Sequence, residues 1–281
     1  MPRSVVIYTD PVTLSGLKDF ARREYSGYST KPYTFSFGQK TQSPNLRARI
    51  CELREGVLGS AIDELVKKGI AVLAAPQDRD VRARTYGELL DEADRATRVA
   101  TLQFATPIIL EVSGEVVPFP VIPTIFRKYI EVWQALSDAD ISGSADALRH
   151  IRVIDFRISC VPTPYGPGAQ GWVGLEMEKG RTEEEIALFN GLIDFAFFCG
   201  TGLHTDEGLG QTRRMARGYG GGAGRLLRLT SSSSAATRPW PPTHSKLGGG
   251  YPAFIYVTFR RATASVPRHP SKLGSAPRTG G

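Results

Sequence analysis

The stretch Phe198–Arg213, FCGTGLHTDEGLGQTR, carries Gly200, Gly202, Gly208 and Gly210, and between them His204, Asp206, Glu207 and two threonines, Thr201 and Thr205. It follows the apolar run TEEEIALFNGLIDFAFFC, whose Thr182 and Glu185 have the spacing of a helix capping box. A dinucleotide-binding fingerprint needs G-x-G-x-x-G between a strand and a helix. Here the glycines follow a helix, the third position is Thr205, and a strand comes next, so that reading fails. No Gly-Lys-Ser/Thr is present for a phosphate-binding P-loop. His204, Asp206 and Glu207 are too few in one loop to fix a metal, and no metal is expected; such a polar loop is expected to be solvated. Two readings stay open. One is a plain helix-to-strand turn. The other is a loop whose glycines leave backbone amides uncovered for phosphate, with Gln211, Thr212, Arg213 and Arg214 adding donors and charge for a nucleic-acid backbone.

Upstream of this loop the pattern is strand, helix, strand, strand, helix, strand, twice over. In the first pass, SVVIYT (Ser4–Thr9) is a short β-branched strand. LSGLKDFARREY puts Leu14, Leu17, Ala21 and Tyr25 on one helical face. KPYTFSFG is extended, LRARICEL alternates as a half-buried strand, VLGSAIDELVKKG is an amphipathic helix closed by Gly69, and IAVLAA is a buried strand. TYGELLDEADRA reads as a short connecting helix. The second pass runs ATLQFATPIILEV, PVIPTIFRKYIEVWQAL, HIRVIDFRISCV, QGWVGLEMEK, the capped apolar helix and LGQTRRM. The order predicts an α+β protein of two tandem ferredoxin-like (β-α-β-β-α-β) domains, residues 1–96 and 97–217. Residues 218–281 are rich in Gly, Ser, Pro and Arg and are expected to form a disordered extension, with Tyr251–Phe259 the one segment able to pair as a strand.

The formal charge of +7 belongs to that extension. No Asp or Glu follows Glu207, and twelve of the 35 Lys and Arg lie beyond it, which leaves 23 bases against 28 acids, a net −5, on residues 1–207. A nucleic-acid site on the folded body is therefore expected as a local patch rather than a global field. Cys51, Cys160 and Cys199 are scattered and odd in number, which argues against a disulfide framework or zinc knuckle. The apolar patch near the start is too short for a signal peptide and the longest apolar run too short for a membrane span, so a cytoplasmic protein with no membrane partner is expected.

GTGLHTDEGLG fits G-x-G-x-x-T-x-x-G-x-G at Gly200, Gly202, Thr205, Gly208 and Gly210. This pattern, together with KPYTFSFG, TYGELLDEA, LQFATPIIL, PFPVIPTIFRKYIEVW and GWVGLEME in that order, resembles the Cas6 family of CRISPR repeat endoribonucleases over roughly Ser4–Arg214. The resemblance implies a metal-independent cut of CRISPR repeat RNA: the 2′-hydroxyl attacks the adjacent phosphate, leaving a 2′,3′-cyclic phosphate and a 5′-hydroxyl, with no cofactor. It implies RNA contacts from Gly200, Gly202, Thr205, Gly208, Gly210, Gln211, Arg213 and Arg214, and names other Cas proteins of an effector complex as candidate partners. Many members carry a histidine a few residues before the lysine that opens K-P-[FY]-T-x-S. Lys31 holds the lysine place, but the histidine place falls at Tyr25 or Ser26, and no histidine precedes His150. The candidate catalytic set is therefore Lys31, Tyr25 and Ser26. Tyr25 also continues an apolar helical face and has a packing reading; His150 and His204 lie elsewhere. Two alternatives remain: a non-catalytic repeat-RNA-binding subunit, and an unrelated ferredoxin-like protein binding a small anion at the glycine turn.

Overall fold

The computed structural model describes residues 1–37 and 46–215, the side chains of residues 57 and 142–145 excepted. The basic extension, including Tyr251–Phe259, lies outside the described residues. So does Gly38 at the end of KPYTFSFG.

β1 (Arg3–Thr9) leads into α1 (Pro11–Glu24), which Asp10 caps by accepting the Val12 and Thr13 amides at 2.9 and 3.0 Å. β2 (Tyr33–Phe37), β3 (Leu46–Glu52), α2 (Val57–Lys67), β4 (Val72–Leu73) and β5 (Arg82–Ala83) complete the first unit. Its sheet runs β2-β3-β1-β4, every pair antiparallel, with β5 on the free half of the β1 edge. Leu14, Leu17 and Ala21 of α1, with Tyr25 just past its end, face Ile7, Phe35 and Ile50 of the sheet and Leu58 and Ile62 of α2. IAVLAA was expected as a buried strand. It contributes only the two-residue β4, with Val72 and Leu73 exposed, because at the sheet edge it has β1 on one side and no neighbour on the other.

α3 (Tyr86–Asp91) follows, then β6 (Val99–Ile108), the hairpin β7 (Leu110–Val112) and β8 (Glu115–Val117), α4 (Ile122–Leu136), β9 (Ile151–Thr163), β10 (Gly166–Met177), α5 (Glu183–Cys199) and β11 (Thr212–Arg214). The second sheet runs β11-β6-β10-β9. Counted within each unit, both sheets therefore share the order fourth, first, third, second strand, which is the ferredoxin-like arrangement. Trp133 of α4 is fully buried, with edge-on contacts to Tyr86 of α3 at 4.8 Å and Phe195 of α5 at 5.1 Å. The helix expected as a connector thus packs into the second core. α5 carries its capping box as expected: the Glu185 amide donates to Thr182 Oγ1 and the Thr182 amide to Glu185 Oε2.

α5 is apolar almost all round because it is covered almost all round. Its C-terminal end lies against the open face of the first sheet, where Thr34 Oγ1 donates to the Phe198 carbonyl at 3.0 Å and the Arg49 guanidinium sits 4.2 Å from the centre of the Phe197 ring. This corrects the half-buried reading of β3: Ala48 and Ile50 face the first core, while Arg49 and Cys51 are buried on the opposite face by the second unit. No helix among the described residues is long and apolar enough to cross a membrane.

Candidate nucleic-acid interface

The glycine loop is pinned to the second sheet rather than open. The Thr201 amide donates to the Gly210 carbonyl, Leu203 to Ile109, Gly210 to Pro107 and Gln211 to Thr106 Oγ1, each at 2.8 Å. Thr201 Oγ1 is buried between the hydroxyls of Tyr129 (2.5 Å) and Thr212 (2.6 Å). These four amides are spent inside the protein, which removes them from the uncovered donors expected of the loop. Glycine is needed here for close packing. A β-carbon at Gly210 would run into the Thr201 carbonyl, and one at Gly208, where φ is +97°, would lie 2.5 Å from the Phe37 ring. Gly200, Gly208, Gly210 and Gln211 are buried; Gly202 and Thr205 are half-buried, Thr205 opening a 3-10 turn, Thr205–Glu207.

That turn carries the polar groups. Asp206 is buried and pairs with the Lys31 ammonium; Glu207 pairs with Lys18 at 2.6 Å and with Arg22. The two acids expected in a solvated loop instead tie the second unit to the first. Their partners explain the difference, since α1 and the residues after it supply three cations on the facing wall. Burial lowers the Lys18 pKa, and Arg22 beside it adds to the shift. His204, next to the turn, takes the left-handed conformation (φ 59°, ψ 31°) and stacks its ring on Tyr165 of the β9–β10 turn, 3.8 Å between centres and 12° between planes.

Lys31 stands half exposed at this junction, and Ser26, five residues before it in the chain, is exposed. Tyr25 is 8% exposed, packs against Tyr28 and Tyr33, and donates its hydroxyl to Glu52 Oε1 at 3.3 Å; Glu52 is buried and also holds Arg3. The structure therefore brings Lys31 and the glycine loop together, and turns the Tyr25 ring into the first core.

Beyond the loop lies a cleft between the units, a cavity of about 990 Å³ lined by Phe37, Arg79, Arg82, Gln170, Gln211 and Arg213 among others. Arg213 and Arg47 share one carboxylate, with Nη2 atoms at 3.0 and 2.9 Å from Asp80 Oδ2; Arg47 also reaches Asp78 at 2.8 Å. Arg49 and Arg82 both place their guanidinium groups on the Phe197 ring. Arg49 Nη1 and Arg213 Nε are buried with no hydrogen-bond partner in the protein. Burial lowers the Arg213 pKa, with repulsion from Arg49, Arg79 and Arg47 opposed by Asp80. Five arginines face two aspartates here, an arrangement short of negative charge. Arg214, by contrast, is occupied inside the protein by Asp194 (2.6 Å) and Asn190.

Sequence reasoning missed Arg47, Arg49, Arg79, Arg82 and Asp80. Arg47 and Arg49 had a signal: two bases at i and i+2 share one face of a strand, the face opposite Ala48 and Ile50. Arg79, Asp80 and Arg82 sit in an irregular segment and had none. Among the described residues, no group of three or more His, Cys, Asp or Glu is placed to hold a metal ion.

Comparison with known proteins gives the following. Residues 102–212 match the family model of the CRISPR-associated endoribonuclease Cas6. No curated protein matches the chain. Among solved structures, a Cas6 (TTHA0078) substrate-mimic complex aligns at 21% identity with a TM-score of 0.64, over 76% of this chain and 99% of that one. A Cas6 (TTHB231) product complex aligns at 22% and 0.64 over 76% and 100%. Thermus thermophilus Cas6 (TTHB231) aligns at 22% and 0.60 over 76% and 98%. The family match covers residues 102–212, most of the second unit, and the fold shared with the Cas6 structures spans both units.

Proposed function

We propose that the protein cleaves CRISPR repeat RNA, with the RNA backbone lying in the cleft between the two ferredoxin-like units. The observation that carries this reading is the arginine cluster around Asp80, whose buried Arg49 Nη1 and Arg213 Nε lack acceptors within the protein. Phosphate oxygens supply acceptors and charge of the missing sign. Lys31 pairs with Asp206 of the glycine loop, and Gln211, where that loop ends, lines this cleft. Placed at the scissile phosphate, the Lys31 ammonium stabilises the phosphorane, which carries more negative charge than the ground state. The 2′-oxygen attacks phosphorus as the 5′-oxygen leaves, giving a cyclic phosphate without any metal-bound nucleophile. The ordered glycine loop meets Lys31 through Asp206, and Ser26 precedes Lys31 by five residues in the chain. In this reading Gly200, Gly202, Thr205, Gly208 and Gly210 shape the wall, while Gln211 and Arg213 stand on the cleft and Arg214 braces it from behind. The reaction is intracellular and draws on no cofactor.

Incubation with end-labelled repeat RNA in EDTA tests the reading. Cleavage leaving a 2′,3′-cyclic phosphate and a 5′-hydroxyl is expected; a metal-dependent cut leaving a 5′-phosphate refutes it. A second reading, RNA binding without cleavage, is favoured by the absence of a histidine at Tyr25 or Ser26, where the family's usual histidine falls, and by the burial of Tyr25, whose hydroxyl is turned to Glu52. Retention of repeat RNA uncut under all conditions selects it. Other Cas proteins as partners belong to either reading and are tested by co-purification with the assembled RNA.

A further inference from the structure

We infer that His204 is the catalytic proton donor to the departing 5′-oxygen, supplied by the glycine loop instead of by the segment before Lys31. The inference rests on the cleavage reading above. Three observations meet at this residue. First, two residues of chain span at most about 7 Å, so the His204 backbone lies that close to Asp206, whose carboxylate holds the Lys31 ammonium. A phosphate that takes the place of Asp206 on Lys31 comes within side-chain reach of the imidazole. Second, His204 occupies left-handed backbone that a β-carbon disfavours. It is held there by two amides that follow it, those of Glu207 and Leu209, both donating to its carbonyl. Strain kept in place by surrounding bonds is characteristic of a side chain that must be presented in one direction. Third, the ring is not free to wander: it lies flat on Tyr165, in a contact between two loops that gives the imidazole a fixed plane.

The other described histidine cannot serve. His150 precedes β9, at the far end from the Tyr165 turn, and the 13 residues of that strand, at about 3.3 Å each, put it roughly 40 Å away. It pairs with Glu178 there. Tyr165 faces His204 on one side; its own turn carries Asp206 and Glu207, which pair with Lys31 and with Lys18 and Arg22 across the junction.

The step balances as follows. The bond from the 2′-oxygen to phosphorus forms as the bond from phosphorus to the 5′-oxygen breaks. The 2′-hydroxyl proton passes to solvent water, the imidazolium proton passes to the 5′-oxygen, and neutral imidazole is reprotonated from solvent. Lys31 keeps its proton throughout and acts by charge.

The test uses the full chain and repeat RNA in EDTA under single-turnover conditions. His204→Asn is the first variant because asparagine tolerates left-handed backbone. It should slow cleavage about 10²–10⁴-fold, the usual worth of general acid catalysis, while RNA affinity and the melting temperature stay at the wild-type values. A second RNA carries sulfur in place of the bridging 5′-oxygen at the scissile phosphate. A thiolate leaves without a proton, so wild type and His204→Asn should cut it at equal rates. His204→Gly, the variant least able to disturb this backbone, should be slow and recover on addition of free imidazole. Tyr165→Leu should slow the wild type but add nothing to His204→Asn. Wild-type rates on ordinary RNA for His204→Asn, or an equal defect on the sulfur RNA, overturn the assignment and leave the cleavage reading standing. A wild-type protein that binds repeat RNA and never cuts it overturns both.

Discussion

Asp80→Asn should make the protein less stable and a tighter RNA binder at the same time. Asp80 is 2% exposed and its Oδ2 alone accepts from both Arg47 and Arg213. Removing one partner of a buried ion pair costs about 3–5 kcal/mol. The two arginine side chains are 21% and 22% exposed, so solvent takes up part of the loss and the low end, about 3 kcal/mol, applies. At about 2–4 °C per kcal/mol for a chain of this size, the melting temperature should fall by roughly 6–12 °C. The effect on binding has the opposite sign, because the lost carboxylate also repels any phosphate in the cleft. At about 8 Å and an effective dielectric constant near 20, that repulsion is about 2 kcal/mol, or roughly 30-fold in affinity. Screening at physiological salt, where the Debye length is about 8 Å, brings it down to roughly fourfold. Fluorescence anisotropy with labelled repeat RNA at low and physiological salt, below the variant's melting range, reads one effect and thermal melting the other. A variant that melts lower but binds no tighter would show that phosphate does not enter this cleft. One that melts as the wild type does would show that Asp80 is not what holds the arginines together.

Lys31→Ala should slow single-turnover cleavage about 10²–10³-fold, the usual cost of removing one charge-stabilising donor. It should lower stability by about 1–3 kcal/mol in a urea titration, since the ammonium is half exposed but the Asp206 carboxylate it leaves behind is buried. Tyr33→Phe should stabilise the protein by about 1 kcal/mol in the same titration, because the Tyr33 hydroxyl is buried without a partner. Burial, with Asp206 nearby, raises the Tyr33 pKa to about 12 from the ordinary 10.0. The folded state keeps the neutral phenol that the unfolded chain gives up first, so this contribution is present below pH 10 and is lost as pH rises towards 12. Thermal melts of the wild type should fall across that window more steeply than those of Tyr33→Phe. Gly208→Ala puts a methyl group against the Phe37 ring on backbone with φ +97° and should cost about 1–3 kcal/mol. Adding Phe37→Leu should recover the steric part and leave the backbone part.

The repeated element order was legible because α1, α2 and α4 showed a 3.6-residue stripe, α5 was an apolar run with a capping box, and each long strand ran between turn residues. The Leu14–Tyr25 face and the Thr182–Glu185 cap are local features, and both stand as read. What was not legible depended on the second unit lying on the first. β3 alternates basic and apolar residues, a pattern that ordinarily marks a wet face, yet Arg49 is covered by Phe197 from about 150 residues further along the chain. The same holds at the glycine loop. Its glycines marked the place, but their reason, close approach to Phe37 and to the Thr201 carbonyl, lies in residues that only the fold brings there. Asp206 and Glu207 read as solvated because their partners Lys31, Lys18 and Arg22 are far away in sequence. Short strands such as β4 were over-read, since hydrophobicity alone cannot tell an edge from a centre.

The way β11 closes the second sheet bears on how the chain acquires its shape. β6 is a central strand, and its outer neighbour pairs Thr212 with Phe104, 108 residues apart. Loop closure over such a separation is slow, and non-local pairs form late. During synthesis the first unit can complete its sheet as soon as β5 emerges, whereas β6 must wait with an open edge until three residues near position 212 arrive. The Gly210–Pro107 and Gln211–Thr106 bonds exist only when that edge is closed. The glycine loop is therefore among the last parts of the molecule to take form, and a chain cut before Thr212 lacks the strand that closes the β6 edge and the cleft beside it.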